Sequence, residues 1–507
     1  MRVAGIETEY GIVDPARDQA NPILLSSRLV NACRLWADGR SAPWDYGGED
    51  PLQDQRGHRR ERATAGADML TDAHEWNPQH GLISLRRRRG SWEDPAHLNA
   101  VLGNGARFYV DHAHPEYSGP EVATAREAVV WDRAGDAIAL AAAARYAEEE
   151  DSTVALYKNN VDGKGASYGT HENFLVRRDV DFDRLARLVT SHLVTRPVVT
   201  GAGRVGIGQR GEQAGFQISQ RADYIETEIG LETTLRRPIV NTRDEPHADR
   251  RRWRRLHVIV GDANCFDVPV YLKVGATSLV LSAIEADDER LDALVLAEPV
   301  AAVRTVSRDL TLAATLPLAT GESATALEIQ RALLEISRDY VADADDAQVI
   351  ARWEAVLDAL GRDIFEAARD VEWVAKLQLL GRIRDKHTQL GADGLAMPMP
   401  WSDPRLAALD LQWGRLGDGW AARLTDAGAV TRVTDDAEVE RAMRQPPAST
   451  RAAVRGAFVG TYPHLVDAAG WASVVLDRET AHGKLEVLHL DDPLATTHPL
   501  LDELAQG

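Results

Sequence analysis

Short patterns along this chain set acids, histidines and arginines two residues apart. Glu7 and Glu9 stand in RVAGIETEYGIV (2–13), and Arg107, Tyr109 and Asp111 in NGARFYVD (104–111), with His112, His114 and Glu116 just beyond. His171 and Asn173 stand in THENFLVR (170–177), and Arg255 and His257 in RRLHVIV (254–260). Side chains alternate across a β-strand, so each pair shares one face. Any one pattern reads equally well as a solvated strand face, and Arg107 with Asp111 as a surface ion pair. Their recurrence points to chemistry. Magnesium takes one or two carboxylates together with phosphate oxygens, and the arginine fork matches phosphate. A histidine such as His257 suits a metal or a phosphate. The set fits a nucleoside triphosphate with magnesium. No G-x-x-x-x-G-K-[ST] occurs, so the phosphates would be held without a P-loop.

The elements that must position these residues follow from the same periodicities. Residues 2–13 read as one strand and 22–37 as an amphipathic helix. The stretch 38–95 is long for a connection, rich in Gly, Asp and Arg, and contains Trp44-Asp45-Tyr46 and the run Arg86–Arg89. After strand 107–111, His112, His114 and Glu116 are expected in a loop. Ser118-Gly-Pro120-Glu121 then reads as a helix start with a Ser N-cap. That Ala-rich helix would end near 150 in Glu148, Glu149, Glu150 and Asp151, a poor match to its dipole. Strands follow on either side of VDGKGASYG (161–169), then a helix at 184–195. Gly201-Ala-Gly203-Arg-Val-Gly206 fits G-x-G-x-x-G, but no helix pattern opens there, so it reads as a turn. Residues 215–285 are dense in polar groups, and 288–298, 325–342, 347–360 and 363–391 show helical spacing. A small α+β unit is expected over about 435–507. Repeated i, i+2 pairs imply an antiparallel sheet gathering the polar residues on one face.

The totals exclude several classes. At 507 residues the chain exceeds one simple core. A net charge of -20 argues against a general nucleic-acid binder. Cys33 and Cys265 cannot build a disulfide framework, and they fit a reducing cytoplasm. No apolar run approaching the ~20 residues of a membrane helix is evident.

GIETEYG (5–11), NGARFYVDHAHPEYS (104–118), YKNNVDGKGASYGTHENFL (157–175), SQRADYIE (219–226), PIVNTRDEPHAD (238–249) and RRLHVIVGDAN (254–264) closely resemble the Pup ligase and Pup deamidase/depupylase family, which is related to glutamine synthetase and carboxylate–amine ligases. The resemblance extends through VEWVAKLQLL (371–380), DPRLAALDLQW (403–413) and the tail. It implies an α+β fold. A large glutamine-synthetase-like catalytic domain, 1–430, would carry a curved antiparallel sheet packed on helices, and a small C-terminal α+β domain would span 431–507. The insertion at 38–95, its WDY, the start DQANPILLSS (18–27) and the short form DHAHPEYS are similar to the deamidase branch.

The implied activity is ATP- and magnesium-dependent hydrolysis of the C-terminal Gln amide of Pup and of the Pup–lysine isopeptide bond. Its partners would be Pup and pupylated proteins, with an indirect link to the bacterial proteasome and none to nucleic acid or membrane. By the same resemblance Asp111 is catalytic, attacking directly or activating water or phosphate. Glu7, Tyr109, Glu116, His171 and His257 meet the metal. Arg107, Ser118, Asn173, Arg255 and Trp471 meet ATP, or ADP with phosphate. Glu9, Arg221 and Arg243 are added as further contacts. The alternatives are a Pup–protein ligase of the same family and a non-catalytic Pup-binding adaptor.

Overall fold

The computed structural model describes residues 2–17, 20–65, 98–161, 167–208, 211–232, 236–390, 396–480 and 483–506. Its centre is a nine-stranded sheet. The strand order is Ile225–Gly230, Arg237–Asn241, Trp253–Val258, Thr170–Arg177, Ala4–Glu9, His114–Ser118, Arg107–Asp111, Asn99–Leu102, Ser41–Ala42. Neighbours run antiparallel as expected, except the first pair, which is parallel. Period-two alternation divides the two faces. Ala4, Ile6, Phe174, Val176, Leu256 and Val258 point into the main apolar core. Phe108 and Tyr117 enter a second core, beside the helices Pro22–Trp36 and Ala125–Glu150. The residues between them carry the acids, histidines and arginines on the opposite face.

Helices Phe182–Thr195, Asp267–Glu285, Ala326–Ser337 and Ala344–Arg362 contribute to the main core. Asp267–Glu285 corrects two expectations. Its residues read only as polar-dense sequence, and no run of nearly membrane length is expected there. It is a 19-residue helix long and apolar enough to cross a bilayer, yet 89% of its most apolar window is buried inside the protein. A helix packed on all sides shows no amphipathic spacing, which is why periodicity misses it.

Other local expectations give way to pairing. The strand over 2–13 breaks at Tyr10, whose buried ring sends its hydroxyl to Asp136 at 2.9 Å, and Gly11–Val13 pairs instead with Ala155–Tyr157. His114 and Glu116 lie on a strand, not in a loop, because the chain reverses in a tight hairpin in which His112 takes φ 53. Ser118 is no helix cap. It ends that strand, and Gly119 N donates to Ile6 O at 2.8 Å. The helix starts at Thr124, which accepts from Glu127 N at 3.1 Å, while Glu127 accepts from Ala123 N. The acids at its far end are matched locally. Arg145 pairs with Glu148 at 2.8 Å and Glu149 at 2.5 Å, and Arg28 with Glu150 at 2.7 Å. The 288–298 spacing is a 3-10 turn, Glu289–Leu294, with Pro299–Arg308 a separate helix. The 363–391 spacing divides into a 3-10 turn, Ile364–Arg369, and the helix Glu372–Lys386. Arg204–Gly206 is a strand paired with Gly215–Gln217 and opens no dinucleotide turn.

In the tail, strands Val466–Ala469, Ser473–Thr480 and Gly483–His489 pack with helices Ala452–Thr461 and Pro499–Gln506 around their own apolar cluster. Buried Arg451 and Arg455 reach from it to Glu121 at 2.8 and 2.5 Å. Of the 38–95 stretch, residues 38–65 are described. Residues 66–95 with the Arg86–Arg89 run, and 162–166 of the glycine-rich stretch, lie outside the described residues.

Gly135 lets helix Ala125–Glu150 approach the sheet, since a Cβ there would lie 2.3 Å from Tyr117 Cδ1. Gly135→Ala should therefore destabilise by about 1–3 kcal/mol, read from urea unfolding, although alanine is the better helix former.

Candidate functional site

Strand register assembles the site. Glu7 stands opposite His171 on one side and Ser118 on the other, and Ser118 stands opposite Arg107. Glu116 pairs with both Glu9 and Tyr109, and Asn173 with His257. Asp111 ends its strand and Arg255 precedes His257 on the same face.

Two clusters result. In the first, one ligand atom each of Glu7, His171 and His257 lie within 4.8 Å of one another. His171 Nδ1 is 3.1 Å from Glu7 Oε2, and Asn173 Nδ2 donates to Glu7 Oε1 at 2.9 Å. Asn173 Oδ1 accepts from Arg255 Nη1 at 3.0 Å and lies 2.9 Å from His257 Nδ1. Burial alone would raise Glu7, but the His171 hydrogen bond and the Arg255 charge hold it well below the ordinary carboxylate range. Burial and the Arg255 charge push His257 well below the usual histidine range, which keeps the imidazole neutral and able to ligate.

The second cluster holds Glu9, Asp111 and Glu116, again with ligand atoms within 4.8 Å. Burial and the charges of Asp111, Glu7 and Glu9 push Glu116 well above the carboxylate range, against a hydrogen bond from Tyr109. Glu116 is 1% exposed, and its Oε2 has no hydrogen-bond partner among the described residues. Asp111 goes the other way. Burial would raise it, but the hydrogen bond and charge of His112, 3.0 Å away, with His171 and Arg243, hold it below its ordinary value. Clustered carboxylates with an unpartnered oxygen, beside a neutral imidazole, fit a hard divalent cation. Among the described residues, Glu9 thus joins Asp111 more closely than it joins Glu7.

Arg107 lies over two aromatic rings. Its guanidinium carbon lies 4.0 Å from the Trp44 ring centroid and 3.9 Å from that of Tyr109. Arg243 Nε is 3.7 Å from Glu245, which also meets Arg255 at 3.3 Å and accepts from Asp50 N at 2.6 Å. Arg221 is buried near Glu9. It is 1% exposed and donates to Thr170 O at 3.1 Å. A cleft beside Glu7 is lined by Ile6, Ser118, Asn173, Arg255, His247 and Trp471.

Sequence reasoning missed Asn99, Glu49, Glu245 and the Glu121–Arg451–Arg455 cluster. Asn99 Oδ1 accepts from Arg107 Nε at 2.8 Å, from a strand too short to show alternation. Arg451 and Arg455 stand four apart on one helical face, a signal that was there to read. Burial of Glu121 would raise its carboxyl, but these arginines hold it at about 2.

Glu49, from the 38–65 segment, accepts from Trp44 Nε1 at 3.0 Å, and burial with the Glu245 charge pushes its carboxyl up to about 7. A raised folded pKa contributes stability that is complete below the unfolded value of 4.5 and is lost as pH rises through about 7. Glu49→Gln should remove that loss, so its melting temperature relative to wild type should rise between those pH values. Parallel curves would contradict the assignment.

A family described as Pup-ligase protein matches residues 2–475. The chain is 45% identical to the depupylase of Acidothermus cellulolyticus, covering 94% of this chain and 91% of that protein. To the Pup deamidase/depupylase of Mycolicibacterium smegmatis it is 44% identical, covering 94% and 92%. The Pup–protein ligase of Acidimicrobium ferrooxidans is 39% identical over 83% of this chain and 91% of its own length. Among solved structures, the complex of the prokaryotic ubiquitin-like protein Pup with its ligase PafA superposes with a TM-score of 0.77 at 30% identity, covering 100% of this chain and 92% of that one. The ligase PafA with ADP gives 0.71 at 32% identity, covering 89% and 96%. With its sheet face of paired acids, histidines and arginines, this chain belongs to the Pup-ligase family.

Proposed function

We propose that the protein is an ATP- and magnesium-dependent amidohydrolase that deamidates the C-terminal Gln of Pup and cleaves the isopeptide bond joining Pup to lysine. The observation that carries this reading is Asp111, a carboxylate held ionised at the end of a strand whose neighbours supply acids, imidazoles and arginines. Identity of 45% to a depupylase against 39% to a ligase supports the hydrolase branch. Nucleotide binding is supported by the relative solved with ADP and by the cleft from Glu7 to Trp471.

In this reading Glu7, Tyr109, Glu116, His171 and His257 hold magnesium, with Glu9 close by. When bound, the cation neutralises the clustered acids and supplies positive charge to oxygen atoms of nucleotide and substrate. Arg107, Ser118, Asn173, Arg255 and Trp471 contact the nucleotide, with Arg243 beside Glu245. Asp111 then does the covalent work. An ionised carboxylate at this place can serve as the nucleophile. An Asp111 oxygen bonds to the amide carbon and the C–N bond breaks. The departing ammonia or lysine amine takes a proton from water, and the hydroxide left behind attacks the acyl-aspartate to free the Glu carboxylate and Asp111, the remaining proton going to the released amine. Nearby arginines stabilise the developing oxyanion. Residues 1–430 act as the catalytic domain and 431–507 as a small domain presenting Trp471. The unpaired Cys33 and Cys265 fit a reducing cytoplasm.

The ligase reading draws on the same face, with Asp111 deprotonating an incoming lysine. It is supported by the solved relatives and by Pup–protein ligases at 38–42% identity over smaller shares of the chain.

Asp111→Asn should lower amide hydrolysis of Pup ending in Gln by roughly a thousand-fold or more while ADP affinity stays within a few-fold. Normal deamidation by that variant would overturn the role. In the wild type, magnesium with ADP should raise the melting temperature beyond ADP alone. Glu116→Gln should lose most of that increment, and an unchanged increment would remove Glu116 from the metal site.

A further inference from the structure

The 41–50 segment belongs to the stretch inserted between the first helix and the sheet, yet it lies against Arg107. The guanidinium lies over the ring of Trp44, which is 3% exposed, and over that of Tyr109, at 4.0 and 3.9 Å. Tyr46 acts at the edge. Its hydroxyl accepts from Asn99 Nδ2 at 2.8 Å, and Asn99 Oδ1 accepts from Arg107 Nε and Nη2 at 2.8 and 2.6 Å. The two residues are thus one in-plane and one stacking restraint on the same cation. Trp44 is itself held by its indole N–H on Glu49 at 3.0 Å and by the ring of Trp471, 5.3 Å away and inclined at 70°. Arg455 lies 4.9 Å from the Trp471 ring and donates to its carbonyl oxygen at 2.9 Å. The segment is stitched to the tail as well. Asp45 N donates to Ala469 O, Ala469 N to Pro43 O, both at 2.9 Å, and Ser473 Oγ to Asp45 Oδ2 at 2.6 Å. Cations and aromatic rings therefore run from Arg455 in the tail through Trp471 and Trp44 to Arg107 and Tyr109 beside Glu116.

We propose that Trp44 and Tyr46 are positioning residues for Arg107, pre-setting its guanidinium for nucleotide phosphate, and that the tail acts on the same cation through Trp471. The inference rests on the reading of Arg107 as a nucleotide contact. An arginine free to sample its rotamers loses side-chain entropy on meeting phosphate, and a stacked, edge-bonded one has already lost it. Stacking on a desolvated tryptophan has the magnitude needed to hold it.

The test is ADP titration of the full chain, with ATP-dependent deamidation of Pup ending in Gln as a second readout. The variants are Trp44→Leu, Trp44→Phe, Tyr46→Phe and Arg107→Ala, together with Trp44→Leu and Tyr46→Phe in the Arg107→Ala background. Trp44→Leu should weaken ADP and raise the KM for ATP by about ten-fold with a smaller change in kcat, and Tyr46→Phe by about three-fold. Trp44→Phe, which keeps a π-face, should stay within about two-fold of wild type. Neither loss should appear once Arg107 is alanine. Full-sized losses in that background, or no loss in Trp44→Leu, would overturn the proposal. Should Trp44→Leu fail to fold, the Tyr46→Phe cycle, which removes only a hydroxyl, decides the question in the same way. Arg107→Ala alone separates the two claims: unchanged ADP affinity there removes the nucleotide contact and the proposal with it. Absence of deamidation would leave the ADP cycle intact as a test of the clamp.

Discussion

Everything in this site depends on carboxylates crowded on one face of one sheet. Register brings Glu7, Glu9, Asp111 and Glu116 onto adjacent strands, largely out of water, where like charges repel and desolvation penalises each. The chain resolves this unequally. Glu7 is compensated by His171, Asn173 and Arg255, and Asp111 by His112. Glu116 is left with an unpartnered oxygen and a strongly raised pKa. In the proposed reading, Glu116 would take the cation and Asp111 would keep an ionised carboxylate available. One acid is thus suited to binding and the other to chemistry, though both are the same functional group.

The strand that carries Glu7 and Glu9 is pinned from behind. Thr8 Oγ1 donates to Asp132 at 3.1 Å and the Tyr10 hydroxyl to Asp136 at 2.9 Å, and buried Lys158 bridges both aspartates at 2.7 and 3.1 Å. Behind the strand of His171 and Asn173, buried Glu172 is bound by Arg196. Buried pairs of this kind add little net stability, but losing one partner costs about 3–5 kcal/mol, so they hold their strands in one place. Charge on the helical side thereby fixes geometry on the open side.

Much of this was legible in the chain because a strand has period two. The i, i+2 pairs at 7 and 9, 107 to 111, 171 and 173, and 255 and 257 report a shared face directly. What was not legible depends on contacts between distant segments. Nothing near Ser118 distinguishes a strand end from a helix cap, since the deciding bond is to Ile6 O across the sheet. The helix Asp267–Glu285 is buried on all sides and so lacks the amphipathic stripe that marks its neighbours. Trp44 could be noticed as part of a motif, but its place over Arg107 needs the Ser41–Ala42 edge strand and the tail. Arg221, singled out from its motif, is buried and donates to the backbone of Thr170, a contact that no local pattern reports.

The deciding experiment offers the purified chain Pup ending in Gln and, separately, Pup ending in Glu with a lysine-bearing acceptor, each with and without ATP and magnesium, and follows both by intact mass. The expected result is conversion of Gln to Glu that requires nucleotide and metal, with no joining of Pup to the acceptor. Joining without amide hydrolysis, by folded protein that binds ADP, would contradict the hydrolase assignment.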